Sequence, residues 1–345
     1  MSSSYFPLGK LPPDYLTRLI DQFGASDSDL VLGPGTGLDC AVIDVGSHYL
    51  VLKSDPITFA DENIGWYLVH INANDIATMA ATPRWLMLTI LLPELSTTPE
   101  YLEAIVNQIK KGCDEIGVVV IGGHTEITHG LDFPILAGTM IGEVPKDKLI
   151  TPRGIQTGDH ILLSKGVPIE ATALLAHEVP GLLSKTLSKT EIAEAREYLT
   201  DPGISVLKDS QIATRAGAVS AMHDPTEGGL SAALWEMAQA GQCQFVIDLD
   251  RVYIPEIAKK VCDSLNLDPL AAISSGALLM TAPPSESQKI IEALLENSIA
   301  CSDIGHVDPG EPMVWKQLEK SRTILERPER DEITKVFESE RDNKH

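Results

Sequence analysis

Val118-Val119-Val120-Ile121-Gly122-Gly123-His124-Thr125-Glu126 is the stretch from which the rest of the chain is read. Four β-branched residues in a row predict a buried strand, and the glycine pair predicts its end. His124, Thr125 and Glu126 are then delivered just past a strand. Glycines let a backbone approach a ligand closely, and an acid three residues beyond Gly123 suits a cation or a proton. A plain Gly-Gly turn with a solvated glutamate is the alternative.

The chain around this stretch has 345 residues, enough for two domains with separate cores. A formal net charge of -22 argues against nucleic acid or an anionic membrane surface as the main partner. It also means that a phosphate ligand needs a divalent cation between itself and the acids. Cys40, Cys113, Cys243, Cys262 and Cys301 are scattered without a C-x-x-C pair, which fits reduced thiols in a cytoplasmic protein. The first residues lack a basic region followed by an apolar core, and no apolar run reaches transmembrane length.

Strand and helix patterns alternate along the chain. Leu16, Leu19, Ile20 and Phe23 mark a short helix, and Gly33-Pro34-Gly35-Thr36-Gly37 a turn. No Gly-Lys-Ser/Thr closes that turn, so it is not a phosphate-binding P-loop. Strands are expected at 38–44, 49–53, 85–92, 118–121 and 133–144, with helices at 64–81 and after the Thr98-Pro99 start signal. Trp85–Leu92 and Phe133–Met140 alternate little, as if covered on both faces. In the second half, strands are expected at 160–163, 218–222, 244–249, 277–281 and 300–307. Helices are expected from 169, at 190–199, 205–215 and 230–240. The reading is α+β with domains at 1–150 and 151–320 and a charged, loosely held tail at 321–345.

Acids recur at strand ends and in one apolar helix: Asp39, Asp55, Asp75, Glu126 and Asp224. Carboxylates are natural Mg²⁺ ligands alongside water and phosphate oxygens, so Asp39, Asp55, Asp75 and Asp224 are the metal candidates. Asp75, Glu126 and Asp224 are the catalytic candidates. Lys53, Asn72 and Asn74 are candidate phosphate contacts. Ile71, Ala73, Ile76, Ala77 and Met79 make the Asp75 helix apolar almost all round, and a buried acid requires a partner. For the other acids, turn or surface roles are the alternative. Asp224-Pro225-Thr226-Glu227-Gly228-Gly229 sits at a strand-to-helix junction, where free N–H groups favour an anion. Thr226 as a simple N-cap is the competing reading.

Taken together, these motifs resemble the superfamily of aminoimidazole ribonucleotide synthetase, formylglycinamidine ribonucleotide synthetase, selenophosphate synthetase, thiamine-monophosphate kinase and the HypE hydrogenase maturation proteins. The matching segments are Leu38-Asp39-Cys40-Ala41-Val42, Lys53-Ser54-Asp55, Asn74-Asp75-Ile76-Ala77-Thr78-Met79-Ala80-Ala81, Gly122-Gly123-His124-Thr125-Glu126 and Asp224-Pro225-Thr226-Glu227-Gly228-Gly229. The likeness runs from about Gly9 to Val307, and HypE-like members match best.

The resemblance implies a two-domain aminoimidazole ribonucleotide synthetase-like fold. In it the N-terminal domain forms a β-barrel across a homodimer, and a C-terminal α+β domain lies beside it. It implies ATP in a cleft between these parts, with Mg²⁺ on the acids. Gly122, Gly123, His124, Thr125, Thr226, Glu227 and Gly228 join the nucleotide contacts. ATP would activate an oxygen of a small substrate, or of a group on a partner protein, by phosphorylation. A nucleotide-binding assembly protein without turnover is the second reading. Two positions depart from the pattern: His124 and Glu227 stand where HypE-like sequences often have Asp and Arg. HypE proper also ends in Pro-Arg-Ile-Cys, whereas this sequence ends Asp342-Asn343-Lys344-His345.

Overall fold

The computed structural model describes residues 5–6, 8–23, 27–35, 37–319 and 321–344. Residues 1–4 and 7 and Thr36 of the predicted turn lie outside the described residues. The chain divides into two compact units: Ser26–Pro34 with Asp39–Leu149, and Met1–Ala25 with Gly35–Leu38 and Ile150–His345. The leading residues therefore group with the second half of the sequence.

The first unit is one mixed sheet. Its strands are β1 (Leu30–Leu32), β2 (Ala41–Asp44), β3 (Tyr49–Ile57), β4 (Thr82–Pro93), β5 (Val119–Thr128) and β6 (Ile135–Val144), in the order β1-β2-β3-β6-β4-β5. Among the described residues of this sheet only β4 and β5 pair in parallel, joined through the helix Pro99–Ile116. That helix starts where the sequence signals it, with Thr98 Oγ1 accepting from the Tyr101 N–H at 3.2 Å. Every residue of the helix Ile64–Thr78 is buried, as its all-round apolar pattern predicts. It reaches that depth because β6 carries Gly138 and Gly142 where it passes. A Cβ at Gly142 would overlap Ile76 Cγ2, and one at Gly138 would press on Asn72 Nδ2 at 2.9 Å.

Two expectations for this sheet are corrected. The stretch 118–121 does not form a buried strand ended by glycines. β5 runs through Gly122-Gly123 to Thr128, lies at the sheet edge, and exposes Val119 (59%), Val120 and Ile121. β-branched residues fit a pleated strand whether or not it is covered, so the run specified the strand and not its burial. β4 and β6 likewise alternate between buried and less buried positions, because the helix Ile64–Thr78 covers one face of the sheet.

The second unit holds β7 (His160–Ser164), β8 (Ala221–His223), β9 (Gln244–Ile247), β10 (Leu279–Ala282), β11 (Cys301–Asp308), β12 (Met313–Gln317) and β13 (Arg322–Ile324), ordered β13-β12-β9-β11-β7-β10-β8. Ile161, Leu163, Phe245, Ile247 and Leu279 form one core with Leu230, Ala233, Leu234 and Met237 of the helix Gly229–Gly241. The helices Glu256–Leu265 and Pro284–Glu296 complete this unit and are absent from the sequence reading. The terminal segment is not a loose tail. Leu325, Ile333 and Val336 are buried, the Trp235 indole donates to the Leu325 carbonyl at 2.6 Å, and Arg327 pairs with Glu236 at 3.1 Å. Its high charge hid a few anchoring apolar residues. Among the described residues no helix is long and apolar enough to cross a membrane.

Candidate functional site

The first unit gathers Asp39, Lys53, Asp55 and Asp75 around one ammonium. β3 delivers Lys53 and Asp55 on the same face, two residues apart, and the buried helix delivers Asp75 beneath them. Lys53 Nζ lies 3.2 Å from Asp75 Oδ2, 3.3 Å from Asp55 Oδ2 and 4.0 Å from Asp39 Oδ1. Burial works against the charge on Lys53, but Asp75, Asp39 and Asp55 outweigh it and hold the ammonium well above the ordinary lysine range. The neighbouring Cys40 thiol is pushed far up by burial and by Asp75, so it stays neutral; its Sγ–H donates to the Asp75 carbonyl at 3.3 Å.

Three carboxylates on one lysine leave two formal negative charges. Hard oxygen donors carrying that charge fit Mg²⁺ by their chemistry. Among the described residues no group of three or more His, Cys, Asp or Glu is already disposed as a metal cage. The ammonium of Lys53 holds the acids together instead.

Asn72, read as a phosphate contact, is used differently. Its Oδ1 accepts from the Asp55 N–H at 3.0 Å, and its Nδ2 donates to the carbonyls of Leu68 (2.9 Å) and Asp55 (3.3 Å). Asn72 therefore fixes the backbone that carries Asp55. Asn74 is fully buried in the same helix.

Gly122, Gly123, His124, Thr125 and Glu126 are not brought to this cluster within one chain. Asp55 pairs with Gly138, Gly138 with Leu88, and Leu88 with Gly123, so Gly123 lies three strands away from Asp55. At about 4.8 Å per strand that is about 14 Å. A side chain at Gly123 would overlap the Leu88 carbonyl, so this glycine permits the close pairing with β4. His124 Nε2 and Thr128 Oγ1 both bond the Glu126 carboxylate at 2.9 Å, and they hold its pKa below the usual glutamate value.

In the second unit Asp224-Pro225-Thr226-Glu227-Gly228-Gly229 does join β8 to the helix Gly229–Gly241. The free N–H groups expected there are occupied. Gly228 N–H donates to Asp331 Oδ2 at 2.6 Å, and Gly229 N–H to the Thr226 carbonyl at 2.9 Å. The anion cradle that the motif predicts is thus filled by a carboxylate from the terminal segment. Asp224 is buried and accepts from the Gly276 N–H at 3.2 Å, while Ser274 N–H donates to the Pro225 carbonyl at 3.0 Å.

Glu170, Ser275 and Asp331 are missed by the sequence reading. Burial pushes Glu170 up to about 8; the nearby Ser275 hydroxyl opposes this, and Asp224, Glu227 and Asp331 add to it. Burial also lifts Asp331 to about 7 against the pull of the Ile333, Gly228 and Ile273 N–H groups. No motif marks these residues, because each comes from a different part of the chain. Lys10 adds another: its Nζ lies 3.0 Å from both Thr226 Oγ1 and Glu227 Oε2.

Comparison with known proteins places this geometry in a family. Residues 37–144 match the model for the AIR synthase related protein, N-terminal domain, and residues 156–315 that for its C-terminal domain. A Methanocaldococcus jannaschii protein named for hydrogenase expression/formation is 30% identical over 308 residues, covering 86% of this chain and 88% of that protein. The carbamoyl dehydratase HypE of Rhizobium leguminosarum is 26% identical over 283 residues, covering 79% and 77%. The crystal structure of hydrogenase maturation protein HypE in complex with ATP superposes with a TM-score of 0.70 at 23% identity, covering 86% of this chain and 90% of that one. It shares the two-domain α+β architecture with mixed sheets. The chain belongs to the AIR synthase related protein family.

Proposed function

We propose that this protein is an ATP- and Mg²⁺-dependent enzyme that activates an oxygen of a small substrate, or of a group on a partner protein, by phosphorylation. The observation that carries the reading is the sharing of one largely buried lysine by Asp39, Asp55 and Asp75. Carboxylates gathered this closely repel one another, and a bound cation would offset that repulsion. Bound Mg²⁺ would offset phosphate charge there. Asp39, Asp55 and Asp75 would hold it, Asn72 would keep Asp55 in place, and Lys53 would limit the repulsion among the acids. ATP in a HypE crystal supports nucleotide use by this chain.

The same reading includes a homodimer. β5 ends its sheet with one backbone edge unpaired and with Val119, Val120, Ile121 and Ile127 exposed. A long apolar edge of this kind calls for a second strand, and a second copy of the chain supplies one.

Calorimetry with ATP, with and without Mg²⁺, tests the binding. Phosphate release against carbamoyl, amide, amine and phosphate acceptors tests the turnover. Equal ATP affinity without Mg²⁺ overturns the metal reading. ATP binding without phosphate release from any acceptor favours the nucleotide-binding assembly protein.

A further inference from the structure

We propose that His160 and His306, on the sheet of the second unit, form a binding site for a divalent transition-metal ion of the zinc or copper type. β7 and β11 pair antiparallel with His160 opposite His306, and Val246 of β9 lies opposite His306 in turn. Phe245 and Ile247 point into the core beside the helix Gly229–Gly241, so Val246 and the two histidines occupy the other face. Residues directly opposite on paired strands have Cβ atoms about 5 Å apart. Two imidazoles at that spacing can close on one ion, with metal–nitrogen bonds of about 2 Å. Both line a cavity of about 450 Å³, whose walls also include Val246, Asp248, Arg251 and Asp303.

Each ring is oriented by a carboxylate. His160 Nδ1 lies 2.9 Å from Asp303 Oδ2, and His306 Nε2 lies 3.4 Å from Asp308 Oδ1. A carboxylate only accepts, so the nitrogen facing it carries the hydrogen and the other keeps a lone pair. The Ser287 hydroxyl sits 3.2 Å from the same Nδ1 and donates to the Pro284 carbonyl at 3.1 Å, which agrees with that tautomer. The carboxylates are themselves held: Asp303 Oδ1 accepts from the Gly305 N–H at 3.2 Å, and Asp308 Oδ2 from Arg322 at 2.7 Å. His160 Nε2 and His306 Nδ1 have no protein partner among the described residues. A carboxylate behind a histidine whose second nitrogen is bare is the arrangement that supports a metal-ligating imidazole.

Charge decides between a cation and an anion. Arg251 is tied back by its bond to the Asp303 carbonyl at 3.1 Å and lies 3.8 Å from the carboxylates of both Asp248 and Asp303. Asp248, Asp303 and Asp308 outnumber Arg251 and Arg322 by one charge while the imidazoles are neutral, so a cation is favoured. Nitrogen donors select zinc- or copper-type ions, whereas Mg²⁺ takes oxygen. Two protein ligands leave the remaining positions to water or to a molecule in the cavity. The site is therefore open and exchangeable, unlike a closed structural zinc site, and it fits the absence of any three-residue cage among the described residues.

The test uses the full chain, as wild type, His160→Gln, His306→Gln, the double variant and His129→Gln. His129 is the control, an exposed histidine that also bonds a carboxylate, Glu94. Glutamine keeps an N–H for the carboxylate, and melting temperatures confirm that every protein is folded. Calorimetry measures Zn²⁺ in excess Mg²⁺, and electron paramagnetic resonance reads the nitrogens on bound Cu²⁺. Wild type should take one Zn²⁺ per chain, with affinity falling roughly tenfold or more in each single variant and unchanged in His129→Gln. Cu²⁺ should show two imidazole nitrogens in wild type and one in each single variant. A wild type that ignores Zn²⁺ in excess Mg²⁺ overturns the inference. Zn²⁺ affinity that survives in the double variant, as binding through the cysteines would, overturns it too. Neither result touches the phosphoryl chemistry proposed above, which is measured with ATP and Mg²⁺.

Discussion

Lys53 Nζ and Asp75 Oδ2 lie 3.2 Å apart, one on a strand and the other on a fully buried helix. This pair ties the helix to the sheet at the point where Asp39 and Asp55 also converge. Removing the charge from either member has opposite consequences. Asp75→Asn relieves repulsion and leaves Lys53 with Asp39 and Asp55, so melting temperature should change little while Mg·ATP binding weakens and turnover disappears. Lys53→Met leaves three carboxylates facing one another and should cost about 3 kcal/mol. Added Mg²⁺ should restore part of that loss. Urea denaturation with and without Mg²⁺ reads both; a Lys53→Met protein indifferent to the metal would sink the account.

Asp224 distinguishes binding from turnover. Asp224→Asn keeps the bond from the Gly276 N–H and removes only charge. Mg·ATP affinity should stay within about threefold of wild type and phosphate release should fall by more than tenfold, the pattern of an interaction made in the transition state. Equal rates for both proteins would make Asp224 a structural residue.

Gly142 reports on packing alone. Its Cβ would collide with Ile76 of the buried helix and press on the Thr82 carbonyl at 3.0 Å. Gly142→Ala should therefore cost about 1–3 kcal/mol by overpacking. A neutral result in chemical denaturation would mean that the helix can shift without penalty.

Glu170 gives the stability a pH slope. Its folded pKa of about 8 lies above the ordinary 4.5. Between these values the unfolded chain releases the proton and the folded chain keeps it, so stability falls as pH rises and levels off above 8. Asp331, lifted from 3.8 to about 7, acts in the same direction over its own window. At about 1.4 kcal/mol per unit, wild type should lose at least 2 kcal/mol more than Glu170→Gln between pH 5.5 and pH 8.5. Parallel pH curves for the two proteins contradict the burial of an unpaired carboxyl.

Assembly is read from the exposed edge. Light scattering at micromolar concentration should give twice the single-chain mass. Val120→Lys places a charge on β5 and should return the protein to a monomer, with its melting temperature lowered. A wild-type monomer counts against a second copy on that edge.

Much of this protein is determined by local sequence. The Thr98-Pro99 start, the all-round apolar pattern of 64–78 and the β-branched run at 118–121 each specify an element, because capping, helical period and backbone sterics act over a few residues. The five motifs likewise identify the family. Burial and partnership are decided elsewhere. Val119–Ile121 is exposed because β5 happens to be last in its sheet. Asn72 is spent on Asp55 because Gly138 leaves room for its amide. Asp331 fills the Gly228 turn, and Lys10 reaches Thr226, across separations of 103 and 216 residues. Which polar groups satisfy one another depends on distances set only when the whole chain has folded, and no window of sequence contains both partners.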